Sequence, residues 1–273
     1  MHLILTGATG LIGSAVLQHM LVNPSVTRIS ILSRRTVPQA QTPEAAKSGK
    51  VQVILHSDFN TYPSETLEKL RGAKGVVWAL GISQTAVSPE EYEKITYDYT
   101  VAAANAFATL PSAPSSTLPE PASPSPTPFN FIYVSGEGAT LHSSMFTPRF
   151  AIVKGRAEAA LLSLGREQAG GRFRAFSVRP GGPDAAEHQE IWPFVPQRTG
   201  AMKVMESYLM PVLRRVVPGL VVPTRDLATV LTRLALGDGE PLDSSAKGIE
   251  RVGEGKGRIV QNVGVRRLAG LDG

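Results

Sequence analysis

The sequence predicts a doubly wound parallel α/β sheet, and three observations support this prediction. The chain opens with a short apolar strand that runs directly into a glycine-rich turn and a helical pattern. Further apolar segments of strand length follow, separated by stretches long enough for crossover helices. With 273 residues, of which 42% are hydrophobic and 19% charged, the chain can bury a core of this size.

Four strands and one well-marked helix are predicted in the first half of the chain. The strands are expected at residues 1–5, 28–32, 51–55 and 75–80. Ser88 is placed as the N-cap of the helix, with Pro89 at its first position and Glu91 able to close a capping box. We expect this helix to continue to about residue 109.

Residues 111–128 interrupt this pattern. They contain 7 of the 21 prolines, and most of the other residues are serine or threonine. Proline removes a backbone donor and fixes φ, so the segment suits neither a helix nor an interior strand. We therefore expect a solvent-exposed, mostly disordered insertion.

The pattern of strands and helices resumes after the insertion. Strands are predicted at 129–134, 173–178 and 259–263, and helices at 149–164, at 203–216 and from an N-cap at Thr224 to 236. The glycine-rich, charged stretch that precedes the last strand, 237–257, is expected to be flexible. We predict one domain over 1–273, in which 183–223 and 237–273 form a small substrate-side lobe and a C-terminal segment.

The turn after the first strand has the spacing of a dinucleotide site. Gly7 permits a tight turn, Gly10 lets the backbone approach a pyrophosphate, and Gly13 lets the helix pack closely on the strand. The free amides and partial positive charge of the helix N-terminus favour a phosphate there. The other interpretation is an ordinary turn. The predicted cofactor turn also includes Thr6, Thr9, Leu11 and Ile12.

The end of the second strand indicates which dinucleotide is bound. An NAD site carries a carboxylate about 20 residues after the glycine turn, where it holds the ribose 2′-hydroxyl. This chain has Ser33, Arg34 and Arg35 there instead. Two guanidinium groups suit a 2′-phosphate, so we predict NADP(H) as the cofactor. The alternative is that both arginines are solvated loop residues.

Taken together, these motifs resemble those of the extended and atypical short-chain dehydrogenase/reductases. The motifs that carry the resemblance, besides the glycine turn, are Ser33-Arg34-Arg35, Asp58-Phe59, Ala79-Leu80-Gly81, Ser135-Gly136-Glu137-Gly138, Lys154-Gly155-x-Ala157-Glu158 and Arg179-Pro180-Gly181. Their order is similar to that in the Tat-interacting-protein oxidoreductase branch and in fungal nucleoside-diphosphate-sugar epimerase-like proteins. The resemblance covers about residues 1–236 apart from the insertion, and it implies a Rossmann fold.

The resemblance also implies where residues lie along a bound cofactor. The implied positions are Asp58 and Phe59 at the adenine, Ala79, Leu80 and Gly81 at the ribose, Lys154 at the nicotinamide ribose, and Pro180 and Gly181 beside the nicotinamide. For Asp58, the alternative is a cap at the end of its strand.

The family's catalytic pattern is a serine after the fifth strand and Tyr-x-x-x-Lys on the next helix. Ser135 and Lys154 match this pattern, whereas Phe150 stands at the tyrosine position. A phenyl ring has no proton to give, so the departure removes the general acid and leaves the binding residues. Alternatively, Ser135 terminates its strand and Lys154 pairs with Glu158 on a solvated helix face. The candidate replacement acids are Tyr133, Tyr97 and Tyr99.

Two function classes therefore stay open. The first is an NADP(H)-dependent oxidoreductase whose substrate needs no phenolic proton donor and is protonated by water or by Ser135. The second is a non-catalytic NADP(H)-dependent regulatory or binding protein, which Phe150 favours. Sugar-nucleotide epimerisation is less favoured because it too relies on the missing phenol.

Composition restricts the remaining classes. The absence of cysteine excludes disulfides and thiolate chemistry, and the five histidines show no metal-binding spacing. The net charge of +5 comes without a basic run interleaved with aromatics, so no nucleic-acid role is expected. No stretch has the length and composition of a membrane-spanning helix. We expect a cytoplasmic protein with a small-molecule substrate; peripheral attachment to a mitochondrial membrane is the alternative location, and a homodimer is considered.

Overall fold

The computed structural model describes residues 1–110, 128–167, 172–196, 208–252 and 256–272. Its strands are β1 (His2–Thr6), β2 (Arg28–Ser33), β3 (Val51–Leu55), β4 (Gly75–Trp78), β5 (Phe129–Val134), β6 (Phe173–Arg179), β7 (Gly182–Asp184), β8 (Val221–Pro223), β9 (Ile249–Val252) and β10 (Lys256–Gln261). Eight of them form one sheet in the order β3-β2-β1-β4-β5-β6-β10-β9.

The helices of the described residues are α1 (Leu11–Val22), α2 (Pro43–Ser48), α3 (Ser64–Leu70), α4 (Pro89–Glu93), α5 (Tyr99–Ala108), α6 (Arg149–Glu167), α7 (Met210–Val216), α8 (Thr224–Leu236) and α9 (Asn262–Leu268). A π-helical turn, Lys94–Asp98, joins α4 to α5. The predicted cap at Ser88 is confirmed, since its hydroxyl accepts the Glu91 amide at 3.2 Å. Thr224, by contrast, is the first residue of α8, and Pro223 occupies the cap position.

The order of the strands creates a crevice at the centre of the sheet. Neighbouring strands run parallel throughout except for β9, which pairs antiparallel with β10. From β1 the chain builds outward through β2 and β3, and then returns to place β4 on the other side of β1. Open α/β sheets bind ligands at the carboxyl ends of the strands where the order reverses. The predicted doubly wound sheet is confirmed.

Apolar side chains cover both faces of the sheet because alternate residues of a strand point to opposite sides. Leu3 and Leu5 of β1 lie in a core shared with α1 and α8. Ile4 lies in a second core, shared with α5 and α6, in which the rings of Trp78 and Phe107 pack edge to face. A sheet buried on both faces is a rigid platform for the loops at its carboxyl edge.

The C-terminal part is more regular than the sequence predicts. Residues 249–252, within the stretch expected to be flexible, form β9 because they pair with β10 at the edge of the sheet. The last strand ends at Gln261 and α9 begins at Asn262, so the predicted strand at 259–263 extends two residues too far. Residues 111–127 of the predicted insertion and 203–207 of a predicted helix lie outside the described residues.

A second, two-stranded parallel sheet lies next to the carboxyl end of β6. It pairs β7, which follows β6 almost directly, with β8. Asp184 in β7 binds Arg214 of α7 through both carboxylate oxygens, with one Nη2–Oδ1 distance of 2.7 Å. The buried His188 joins the segment after β7 to α8, with its Nδ1 3.0 Å from the hydroxyl of Thr224. These contacts position the segment between β6 and α8 beside the crevice.

Candidate functional site

Two glycines of the turn after β1 have no room for a side chain. Gly7 has a φ of +68°, and a Cβ there would overlap backbone at the end of β4, while a Cβ on Gly13 would overlap the Gly7 carbonyl. Gly10 donates its amide to the Gly7 oxygen at 2.9 Å, and no side chain caps the helix that follows it. The first amides of α1 have no acceptor within the helix, so they can bind an anion. This first turn comprises Leu11, Ile12 and Gly13.

A cavity of about 290 Å³ opens beside the glycine turn. Arg35 reaches from the end of β2 to this turn, where its Nη2 donates to the Thr9 hydroxyl at 3.1 Å. The Arg35 amide donates to the Ser33 hydroxyl at 3.3 Å, and Arg34 is exposed on the same wall. The lining residues include no carboxylate, so the two guanidinium groups make the cavity cationic. They are Gly7, Thr9, Leu32, Ser33, Arg34, Arg35, Phe59 and Leu80.

The ends of β1 and β4 are tied together at the back of the cavity. Thr6 is fully buried, and its hydroxyl accepts the Leu80 amide at 3.2 Å. Ala79 packs with its backbone against Gly7, which places Leu80 on the cavity wall. A Cβ on Gly81 would meet no atom within 4 Å, so the chain leaves the wall into open space at that residue.

Asp58 and Phe59 follow β3 and have separate environments. The exposed Asp58 carboxylate accepts the Asn60 amide at 3.0 Å and the Thr61 hydroxyl at 2.9 Å, and these bonds lower the pKa of Asp58. Phe59 is 1% exposed, and its ring packs edge-on to Trp78. The Asp58 carboxylate therefore organises its own turn, as the capping interpretation expects, while Phe59 lines the cavity.

Ser135 and Lys154 meet at the carboxyl end of β5. The Lys154 ammonium donates to the Ser135 carbonyl oxygen at 3.0 Å and lies 5.7 Å from the centre of the Tyr133 ring. Burial lowers the pKa of Lys154 to about 8, and the negative charge of Glu158 opposes that shift. Ser135 is 6% exposed, and its hydroxyl has no partner among the described residues. A buried hydroxyl without a partner costs free energy, so it is a natural place for a ligand or water to bind.

Phe150, which the sequence resemblance sets at the tyrosine position, lies one helical turn before Lys154 on α6. It is partly buried, and the tip of its ring lies 3.5 Å from the point that a Cβ on Gly138 would occupy. Gly138 has a φ of +86°, which favours glycine. The ring therefore packs against the loop after β5 but brings no hydroxyl there.

The three candidate replacement tyrosines are engaged in packing. The Tyr133 hydroxyl is fully buried and has no hydrogen-bond partner in the part of the chain that the structure describes, and burial raises its pKa well above the ordinary value. Tyr97 lies under the guanidinium of Arg156 at 4.6 Å, and Tyr99 packs against Phe59 with ring centres 5.9 Å apart. The Tyr133 hydroxyl, whose pKa is raised and which is shielded from water, is therefore a poor proton donor.

A buried ion pair fixes the end of β6. Arg179 donates to both oxygens of Glu158 on α6, at 2.9 and 2.5 Å, and to Glu250 of β9 at 2.7 Å. Glu158 is 0% exposed, so its carboxylate belongs to this ion pair and not to a solvated pair with Lys154. The contact links α6 and the sheet edge immediately before Pro180.

Gly181 is held by a residue that the sequence analysis did not find. Its amide donates to the Asn262 side-chain oxygen at 2.8 Å, and the Asn262 amide group donates to the Gly219 carbonyl at 2.7 Å. Asn262 is 5% exposed and begins α9. It lies beyond the residues covered by the motifs and carries no pattern of its own, so only its position beside β6 reveals its role.

Among solved structures, the fold resembles a short-chain type dehydrogenase/reductase from Mycobacterium ulcerans, with a TM-score of 0.61, 15% identity and coverage of 97% of this chain and 89% of that chain. It also resembles the enzyme WbmF of Bordetella bronchiseptica in complex with NAD+, with a TM-score of 0.59, 11% identity and coverage of 100% and 79%. These likenesses concern the fold. No protein-family model matches the chain.

Sequence relatives extend the likeness along the chain. Leucinostatins biosynthesis cluster protein T of Purpureocillium lilacinum is 32% identical over 283 residues, covering 97% of this chain and 94% of the relative. The chain belongs to the same family as this biosynthesis-cluster protein, and its fold resembles that of short-chain dehydrogenase/reductases. Another relative, the mitochondrial protein fmp52 of Emericella nidulans, is 30% identical over 179 residues, covering 65% of this chain and 64% of the relative.

The fold brings the predicted residues together in two groups. The glycine turn, Arg34 and Arg35 meet around the cavity, and Ser135 and Lys154 meet at the end of β5. Across the described ranges, no group of acidic or histidine side chains is arranged to hold a metal ion. In those same ranges, no helix combines the length and apolarity needed to cross a membrane.

Proposed function

We propose that this chain binds NADP(H) along the carboxyl edge of its sheet and is an oxidoreductase that works without the usual catalytic phenol. The observation that carries the proposal is the cavity in which the glycine turn faces Arg34 and Arg35 with no carboxylate in its lining. Hydrogen bonds between charged groups contribute about 1.5–3 kcal/mol each, so a 2′-phosphate there favours NADP(H) over NAD(H).

Two features at the β1–β4 end of the edge support a dinucleotide there. Because Gly7 and Gly13 lack side chains, backbone amides at the start of α1 are open to a pyrophosphate. Phe59 and Leu80 give the cavity apolar walls that suit adenine. The Asp58 carboxylate is held by its own turn, so we assign Asp58 a contact at the adenine through its backbone.

The bound cofactor would supply or accept a hydride, and the chain's own residues would position the substrate. Lys154, which donates to the Ser135 carbonyl, would contact the nicotinamide ribose, since its positive charge suits a ribose hydroxyl. The unpartnered Ser135 hydroxyl is available to hold a substrate oxygen. Since Phe150 offers no proton, the substrate proton would come from water or from Ser135, which selects substrates that need no strong general acid.

A non-catalytic NADP(H)-dependent regulatory or binding protein is the second candidate, and Phe150 is the observation that favours it. We also propose a cytoplasmic location and a homodimer. The mitochondrial name of the fmp52 relative supports the alternative, peripheral attachment to a mitochondrial membrane.

Calorimetric titration with NADPH, NADH and 2′,5′-ADP tests the proposal. We expect NADPH to bind about ten- to a hundredfold more tightly than NADH, and 2′,5′-ADP to compete with NADPH. No binding of NADPH would overturn the cofactor site, and equal affinities would overturn the NADP(H) assignment. Hydride transfer from bound NADPH to a panel of carbonyl compounds separates the oxidoreductase from the non-catalytic protein.

A further inference from the structure

Asn262 occupies the point where three loops converge at the carboxyl edge of the sheet. It directly follows β10, whose last residue, Gln261, pairs with Arg179 at the end of β6. Its side chain is 5% exposed, and both ends of the amide group are used. The oxygen accepts the Gly181 amide at 2.8 Å, and the nitrogen donates to the Gly219 carbonyl at 2.7 Å.

The backbone of Asn262 reaches the third loop. Its amide donates to the Glu137 carboxylate at 3.3 Å, and the Glu137 amide in turn donates to the Pro180 carbonyl at 3.0 Å. One asparagine therefore connects the loop after β5, the loop after β6 and the segment before β8. Gly181 and Asn262 pack closely, because a Cβ on Gly181 would lie 2.7 Å from the side-chain nitrogen of Asn262.

A second residue of α9 holds the same segment without contacting Gly181. Arg266 donates through Nη1 to the Pro218 carbonyl at 2.9 Å and to the Val221 carbonyl at 2.7 Å. Asn262 and Arg266 of α9 therefore make different contacts. Both anchor the segment before β8, but only Asn262 reaches the loop after β6.

We propose that Asn262 is a positioning residue for the nicotinamide half of the cofactor, acting through Gly181. This inference rests on the proposed function, in which Pro180 and Gly181 flank the nicotinamide. The hydrogen bond from Gly181 fixes the loop against the end of β6, and a displacement of about 1 Å at such a site is enough to impair hydride transfer. The adenine half binds at β1 to β4 and does not depend on Asn262.

The test compares two ligands on one variant. NADPH occupies both halves of the site, whereas 2′,5′-ADP occupies the adenine half alone. Asn262→Ala should weaken NADPH about five- to tenfold, the value of one hydrogen bond, and leave 2′,5′-ADP within about twofold. Asn262→Asp keeps an oxygen for the Gly181 amide but loses the donor to the Gly219 carbonyl, and we expect its NADPH affinity to lie between those of the unmutated protein and Asn262→Ala. The fluorescence of the bound dihydronicotinamide reports the ring environment directly.

Arg266→Ala is the matched control, because it loosens the segment before β8 and leaves Gly181 in place. It should lower the thermal midpoint and change the affinities for NADPH and for 2′,5′-ADP by the same factor. Parallel weakening of both ligands by Asn262→Ala would show a merely structural role and overturn the inference. If the alanine variant does not fold, Asn262→Ser, whose side chain is too short to reach Gly181, replaces it in the same comparison. Failure of the unmutated protein to bind either ligand would overturn the proposed function and this inference with it.

Discussion

Arg35 and Thr9 are joined by a hydrogen bond of 3.1 Å that connects the end of β2 to the glycine turn. The contact holds the Arg35 guanidinium at the cavity, and Arg34, exposed like Arg35, lines the cavity beside it. An ordered side chain loses less conformational entropy when a ligand binds. We therefore expect the two arginines to contribute unequally to cofactor choice.

Replacing the two arginines should remove most of the preference for NADPH. We expect the double variant Arg34→Ala, Arg35→Ala to lose about ten- to a hundredfold in NADPH affinity with little change for NADH, and Arg35→Ala to have the larger single effect. Calorimetry measures the affinities for NADPH and NADH. Arg71→Ala is the control, since Arg71 pairs with Glu68 on the surface and should leave both affinities unchanged. An unaltered ratio in the double variant would contradict the assignment.

Restoring the phenol tests the missing general acid. Phe150→Tyr adds one oxygen to a ring that packs against the loop after β5, one helical turn before Lys154, so we expect a gain of carbonyl reduction with little change in NADPH affinity. General acid catalysis contributes about 10² to 10⁴ in rate, which bounds the gain. Phe146→Tyr is the matched control, because Phe146 is 91% exposed in the same region and its phenol should add no activity.

The opposite result is also informative for Phe150. Rapid carbonyl reduction by the unmutated protein, abolished by Ser135→Ala, would show that Ser135 supplies the proton. Tyr133→Phe should leave such an activity intact, because the Tyr133 hydroxyl is buried away from solvent. No gain in Phe150→Tyr would favour the non-catalytic protein.

The buried ion pair at the end of β6 should dominate local stability. Glu158→Gln keeps the shape of the side chain but leaves the Arg179 charge with Glu250 alone; because an uncompensated buried charge costs about 3–5 kcal/mol and Glu250 still compensates in part, we expect a loss below that range. Urea denaturation measures the loss. Glu65→Gln is the control, since Glu65 is 81% exposed and its pair with Lys69 should contribute about 1 kcal/mol or less. Equal losses in both variants would refute the prediction.

Acid should destabilise the protein partly through His2. Burial and the nearby Arg28 charge lower the pKa of His2 from 6.5 to about 4, and its Nε2 lies 2.9 Å from the Ser30 hydroxyl. The unfolded chain takes up a proton near pH 6.5 and the folded protein only near pH 4, so stability is lost as the pH falls through this window. His2→Gln removes the titration, and its unfolding free energy should fall less steeply between these pH values. Identical slopes for the two proteins would disprove this contribution.

Much of the fold and half of the candidate site can be read from local pattern. The apolar period of β1 and the glycine spacing after it are properties of adjacent residues, and a close approach of backbones requires glycine at Gly7 whatever lies elsewhere. Arg34 and Arg35 directly follow the second strand, and a parallel crossover brings the end of that strand to the same edge as the glycine turn. The sequence alone therefore determined the sheet, its glycine turn and the basic residues beside it.

Tertiary structure decided the contacts between residues far apart in the chain. Residues 249–252 have the composition of a flexible segment, and they form β9 because β10 offers them a partner. Glu158 looks like a helical partner of Lys154, yet the fold buries it against Arg179. Asn262 has no motif, and it reaches Gly181 because β10 pairs beside β6. Local sequence pattern shows which residues share a face of one strand or helix. The pairings above depend on how crossover connections bring distant strand ends together, and only the assembled sheet fixes that arrangement.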